Sequence, residues 1–298
     1  MTASLAPATQ AQYRKPLNDW IQFCASENAD PFKGEPLLVA RFLVTLHKKG
    51  AAYGTLNSAR SAIALLHRNE TADPLVQRFV KGAFRIRPSK PKYEKTWDVG
   101  IVLDFIERWW PLENLSLMQL SQRLVVLLAL STAQRPQTLA CIRLSQIQRS
   151  ETGIEIKISD LKTSRPGEHQ PLLHLPYMAN NPKLCVPTTV FKYTEVTAHS
   201  RGQEDRLIIT TTKPIHAVSS ETISRWIRQV LTESGIDPDF TGYSTRHAAT
   251  SAAARQGVLE SIIKQTAGWS AHSQVFAKHY NRPITQDRRV FATTVLGR

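Results

Sequence analysis

Apolar residues recur at three- and four-residue steps through residues 9–87 of the chain. Tyr13, Leu17, Trp20, Ile21 and Cys24 make one such stripe, Val39, Phe42, Leu43 and Leu46 a second, and Leu56, Ala59, Ile63 and Leu66 a third. That period puts each set on one face of a helix. Pro74 and Leu75 open a fourth helix running through Phe79 and Val80, because a proline in the first turn forfeits no intrahelical hydrogen bond. Gly34, Gly54 and residues 69–74 read as connectors. The expectation for residues 1–87 is a small domain of four amphipathic helices.

Beyond Trp97 the pattern changes. A helix is expected from Trp97 through Phe105, followed by Leu117 to Leu130, which is apolar on nearly all sides and should lie buried at the centre of a second domain. Leu139, Ile142, Leu144 and Ile147 pass from helical to strand spacing. Ile154, Ile156 and Ile158 then alternate with Glu155 and Lys157, and Leu172, Leu173 and Leu175 follow a turn containing Pro166 and Gly167. That is a hairpin pattern. Further helices are expected over 187–199, 219–234, 245–255, 259–266 and 270–279, with Gly257 as a cap, and one short helix over 290–296. The fold class is mainly α with a small antiparallel β-sheet: a helical domain over 1–87, a linker over 88–96 and a second domain over 97–298.

Charge adds a partner class to this picture. The 298 residues carry 38 Lys and Arg against 24 Asp and Glu, a net charge of +14, which favours a polyanion. Residues 1–92 hold 14 basic against 6 acidic residues, so most of the excess lies in the helical domain and the linker. Arg78, Lys81, Arg85, Arg87, Lys90, Lys92 and Lys95 form a dense run broken only by Glu94, with Pro88 and Pro91 interrupting any helix. It reads as a basic strap between domains and as the candidate contact for a polyanion such as nucleic acid or an anionic membrane surface. Cys24, Cys141 and Cys185 have no close pairing, which indicates neither a disulfide framework nor a zinc site. No apolar run reaches the ~20 residues of a membrane helix, and the N-terminus lacks the basic and long apolar regions of a signal peptide; the expectation is an intracellular protein. His272 and His279 lie seven apart without a third ligand, so no metal is expected.

The candidate chemistry sits in short motifs. Thr132-Ala-Gln-Arg135 precedes the Leu139–Ile142 segment, Leu161-Lys-Thr-Ser lies in the hairpin turn, Tyr243-Ser-Thr-Arg246-His247 opens an Ala-rich helix, and Ala267-Gly-Trp-Ser leads to Phe276-Ala-Lys-His-Tyr-Asn-Arg-Pro. In this order the motifs resemble the tyrosine recombinase (phage integrase) family over nearly the whole chain, and most resemble the recombinases of eukaryotic mobile elements of the Crypton and DIRS-like types. The resemblance implies a helical DNA-clamp (SAM-like core-binding) domain before a catalytic domain. It gives Arg135 and Arg246 as the paired arginines, Lys162 as the catalytic lysine, Trp269 at a position held by His or Trp, and Tyr280 as the nucleophile. Three departures stand out: Tyr243 replaces the His of a His-x-x-Arg motif, Thr138 replaces a Glu, and the Trp269–Tyr280 spacing is slightly long.

The residue types suit that chemistry. Two guanidiniums can hold the nonbridging oxygens of a phosphodiester under attack. A tyrosine of ordinary pKa, about 10, needs a positive field or a base to attack near neutrality. Lys162 would protonate the leaving 5′ oxygen, Trp269 would pack beneath the phosphate, and His247 is the candidate base because an imidazole ordinarily titrates near neutrality. The implied partner is double-stranded DNA, bound by a homo-tetramer on paired sites with the 290–296 tail docked into a neighbour. No cofactor is required, and for a eukaryotic element the compartment is the nucleus. Two alternatives stay open: a catalytically silent DNA-binding protein derived from a recombinase, and a type IB topoisomerase.

Overall fold

The computed structural model describes residues 5–33, 35–67, 70–88, 92–158 and 172–284. The chain divides into two compact units, at Lys92 and Tyr93. The first holds α1 (Pro7–Ser26), α2 (Pro36–Lys48), α3 (Tyr53–Ile63) and α4 (Pro74–Ile86). Their apolar faces meet around Trp20, Phe42, Leu43, Leu56, Ile63 and Val80, and the Trp20 indole donates to the Pro31 carbonyl at 3.0 Å. Asp73 caps α4, accepting from the Leu75 amide at 2.7 Å. Gly54 lies in the first turn of α3 rather than in the connector expected there. Gly34 falls outside the described residues.

The second unit is built on α6 (Leu117–Thr132), opened by a capping box between Ser116 and Gln119. Its residues from Leu120 to Ala129 are buried, as the all-round apolar pattern requires. Arg123 is the charged residue within that stretch, beside the polar Ser121 and Gln122: its guanidinium donates to the carbonyls of Ile106, Trp109 and Lys183, so the buried cation is hydrogen-bonded. Around α6 pack α7 (Pro136–Ala140), α8 (Val186–Thr197), α9 (Ser220–Glu233) and α10 (Ser244–Arg255), and α5 (Val99–Glu107) and α11 (Glu260–Ala267) pack on α10. Strands β1 (Ile147–Arg149), β2 (Gly153–Lys157) and β3 (Leu172–Pro176) form an antiparallel sheet in that order, with Ile154 opposite Leu175 and Ile156 opposite Leu173. Those four residues point into the core. The hairpin turn with Pro166 and Gly167 lies outside the described residues, as does the 290–296 tail.

Residues 270–279 depart from the expected helix. Ser270–Ser273 make a turn, and only Phe276–Tyr280 coil, as a wide π-type turn. Gly257 follows α10 with φ +80°, the left-handed position that favours glycine. Among the described residues no helix is long and apolar enough to cross a membrane.

Candidate active site

Four pieces of backbone bring the site together. At the end of α6 Ala133 takes a left-handed conformation, φ 51°, and reverses the chain. Gln134 then donates to the Thr266 carbonyl on α11 at 2.7 Å. Arg135 follows as the N-cap of α7 with extended backbone, the conformation that Pro136 behind it imposes. Tyr243 is the N-cap of α10. The preceding Gly242 lies so close to α9 that a Cβ would sit 2.7 Å from the Ser224 carbonyl oxygen, so only glycine allows this approach. Gly268, φ 69°, terminates α11 and turns Trp269 inward. The fourth piece is the wide turn that carries Tyr280, pinned by Ser251 of α10: its hydroxyl donates to the Tyr280 carbonyl at 2.5 Å and accepts from the Arg282 amide at 2.9 Å.

Arg246 is the hub. It is 1% exposed, and its Nη1 and Nη2 donate at 2.7 Å to the carbonyls of Ala133 and Ala267, tying the reversal after α6 to the end of α11. Its guanidinium lies 4.2 Å from the Trp269 ring centroid and 5.5 Å from that of Tyr280. Its Nε has no partner, nor has Nε1 of Trp269. The hydroxyls of Tyr243 and Tyr280 share a hydrogen bond of 2.7 Å, and Arg135 lies near enough for its charge to act on Tyr243. The His247 ring stacks flat on that of Tyr280 at 4.1 Å, and Trp269 lies at 4.8 Å.

Burial and the two arginines set the electrostatics. Burial pushes Tyr280 up to about 12, and its hydrogen bond to Tyr243 and the Tyr243 charge add to the rise. For Tyr243 burial also acts upward, but the hydrogen bonds from Tyr280 and Arg135 and the charges of Arg135 and Arg246 outweigh it, and the phenol sits below its ordinary value. The pair therefore loses its first proton more easily and its second with more difficulty than two separate phenols. Burial, then the charge of Arg135, lowers Arg246 to about 10, so it stays a cation at neutral pH. His247 differs from the near-neutral imidazole expected: burial first, then Arg282 and Arg246, push it down to about 4.

Of the sequence-derived site residues, Arg135, Tyr243, Arg246, His247, Trp269 and Tyr280 come together here, and Lys162 lies outside the described residues. Arg78, Lys81, Arg85 and Arg87 are exposed along and just beyond α4, Lys92 and Lys95 are exposed further on, and Lys90 lies outside the described residues. Sequence reasoning passed over Ser251, Gln134 and Tyr93, whose ring meets that of His247 at 5.3 Å. Ser251 had a local signal, as a polar residue four after His247 in an alanine-rich helix; Tyr93 had none. Among the described residues no group of three or more His, Cys, Asp or Glu side chains is placed to hold a metal ion.

The comparisons agree on the fold. The chain is similar to the XerH site-specific recombinase bound to palindromic difH substrate in a post-cleavage complex, at 12% identity and TM-score 0.69, covering 96% of this chain and 79% of that one. It is also similar to a lambda integrase dimer bound to a COC' core site, at 16% identity and TM-score 0.59, covering 95% and 74%. A third likeness is to the Tn1549 transposon integrase in complex with transposon right end DNA, at 13% identity and TM-score 0.55, covering 89% and 86%. No curated protein matches the chain. The model of the phage integrase family matches residues 111–286, which is more than half of the chain and takes in all six clustered site residues, and the chain belongs to that family, the tyrosine recombinases.

Proposed function

We propose that the chain is a site-specific DNA recombinase that cuts and rejoins strands through a 3′-phosphotyrosine link at Tyr280. The observation that carries this reading is the meeting of the Tyr280 hydroxyl, two arginines and a second phenol in one buried cluster. In the forward step the Tyr280 oxygen bonds to phosphorus and the bond to the 5′ oxygen breaks. Charge builds on the nonbridging oxygens as it does so. Arg246 is suited to meet it: two carbonyls hold its guanidinium in place, and N–H groups remain over, Nε among them. Arg135 supplies the second guanidinium, and Lys162 the proton for the leaving 5′ oxygen. The broken bond's energy is kept in the covalent link, so rejoining needs no nucleotide.

The partner is duplex DNA, with the exposed basic face of α4 and the strap beyond it along the phosphate backbone. The likeness to a lambda integrase dimer on its core site supports an assembly of copies on DNA, and we take the working state to be a homo-tetramer on paired sites. The Crypton-like motifs make integration or excision of a mobile element the role, and the nucleus the compartment. Supercoiled plasmids bearing paired sites, drawn from a library by binding and incubated in EDTA, test the reading. Exchanged circles with wild type and none with Tyr280→Phe are expected; relaxation of single circles alone would mark a topoisomerase, and binding without cutting a silent relative.

A further inference from the structure

We infer that Tyr243 is the proton acceptor for Tyr280, a phenol serving as general base to a phenol nucleophile. The inference rests on the recombinase reading above and names a role for Tyr243, one of the residues at which this chain departs from the pattern it resembles.

A phenol that attacks phosphorus must pass its proton to an acceptor within hydrogen-bond reach, and among the described residues the side chains in contact with Tyr280 are few. Arg246 and Trp269 can only donate. Phe276 offers nothing polar, although it packs in the same cluster. His247 lies parallel to the phenol ring, at an interplanar angle of 20°, in contact through its face. Among the described residues Tyr243 is the side chain whose oxygen lies within hydrogen-bond distance of the Tyr280 hydroxyl, at 2.7 Å.

That oxygen is prepared to take charge. The charges of Arg135, at the N-cap of α7, and of Arg246, one turn further along α10, both favour its ionised form. Among the described residues the charged and titratable groups that face it are these two arginines, Tyr280 from the wide turn, and the His247 ring at 6.1 Å. In the reactive form the two arginines balance a Tyr243 phenolate and the incoming phosphodiester. Tyr280 then gives its proton to the Tyr243 oxygen as its own oxygen bonds to phosphorus, and the 5′ oxygen leaves with its electron pair and takes a proton from the acid, Lys162 in this reading. In rejoining, neutral Tyr243 returns the proton to the departing Tyr280 oxygen. The same residue is base in one direction and acid in the other, so its loss should slow both.

The test measures single-turnover cleavage of a pool of nicked duplexes in EDTA across pH 6–10, with wild type, Tyr243→Phe, Tyr243→His and Tyr280→Phe. Tyr243→Phe keeps the ring and should lower the rate about 10²–10⁴-fold. Tyr243→His should recover at least tenfold of that loss, with the acid limb of its profile moved towards about 6.5. A Tyr243→Phe rate within about threefold of wild type, or a loss with an unchanged pH profile that His does not rescue, would overturn the inference. Ring-carbon-labelled tyrosine NMR of the free full-length chain gives a readout independent of the DNA site. The Tyr243 signal should titrate before that of Tyr280, and the Tyr280 signal should fall back towards about 10 in Tyr243→Phe; Tyr280 titrating first would overturn the inference. Wild type forming no adduct while the NMR order holds would count against the recombinase reading and for the shared proton.

Discussion

Arg246 and Arg135 stand in different surroundings, so their losses should look different. Arg246 is buried and holds two carbonyls. Arg246→Ala leaves both without their donor, at about 1–3 kcal/mol each, and should lower the urea midpoint as well as cleavage. Arg135 is half-buried, and Arg135→Ala should keep the midpoint while costing cleavage about 10²–10³-fold, the usual effect of losing one preorganised donor. His247 makes a prediction of a different kind. Its folded value of about 4 lies below the ordinary 6.5; above pH 6.5 both states are neutral, and as pH falls from 6.5 towards 4 only the unfolded chain takes up the proton. Stability should therefore drop over that window, by up to about 3 kcal/mol, and His247→Phe, which retains a ring against Tyr280, should flatten the slope. Arg246, Trp269 and Tyr280 were legible in the sequence because each sits in a short motif of its own. The downward shift of His247 was not, because burial and the nearness of Arg282 arise only on folding.

At the scale of elements, the site depends on a short contact between α10 and the wide turn at Phe276–Tyr280. Ser251 makes that contact, giving a proton to one turn carbonyl and accepting from the amide two residues on. Ser251→Ala should leave the Tyr280 carbonyl and the Arg282 amide without it, cost about 1–3 kcal/mol, and slow cleavage with little change in DNA affinity; equal cleavage by variant and wild type would mean the turn holds its shape without the serine. The long elements were legible because their apolar periods are long: α6 is apolar on nearly all sides, and α9 buries Ile223, Trp226, Ile227 and Val230 on one face. The segment 270–279 was not. Its large apolar residues, Val275 and Phe276, with Tyr280 just beyond, are confined to the C-terminal end, and the Ser273 hydroxyl, accepting from the Val275 amide at 3.2 Å, competes with helical bonding further upstream. Gly54 misled in the same way, since a glycine in the first turn of a helix resembles a connector in sequence alone.

At the scale of the whole molecule, charge and chain order carried more than any single residue. The basic excess in residues 1–92 pointed to a polyanion, and the serial order of Arg135, Arg246, Trp269 and Tyr280 pointed to the family. Arg78, Lys81 and Arg85 follow at three- and four-residue steps on the exposed face of α4. Replacing all three with Gln should weaken DNA binding across sequences and reduce the slope of log affinity against log salt by about 0.9 for each phosphate that the protein no longer neutralises. An unchanged slope would take α4 out of the interface. Deleting residues 286–298 should spare binding of one copy to one site and weaken pairing of sites; undiminished pairing would remove the tail from the assembly. Beneath these predictions lies the claim that Tyr280 is the nucleophile, and one measurement reaches it directly. The protein is trapped on nicked duplexes in EDTA, and the covalent adduct is located by peptide mapping, with Tyr280→Phe and Tyr243→Phe alongside. The account predicts a DNA-linked peptide at Tyr280, absent in Tyr280→Phe and formed slowly in Tyr243→Phe. A linkage at Tyr243, or an adduct that survives Tyr280→Phe, would contradict it.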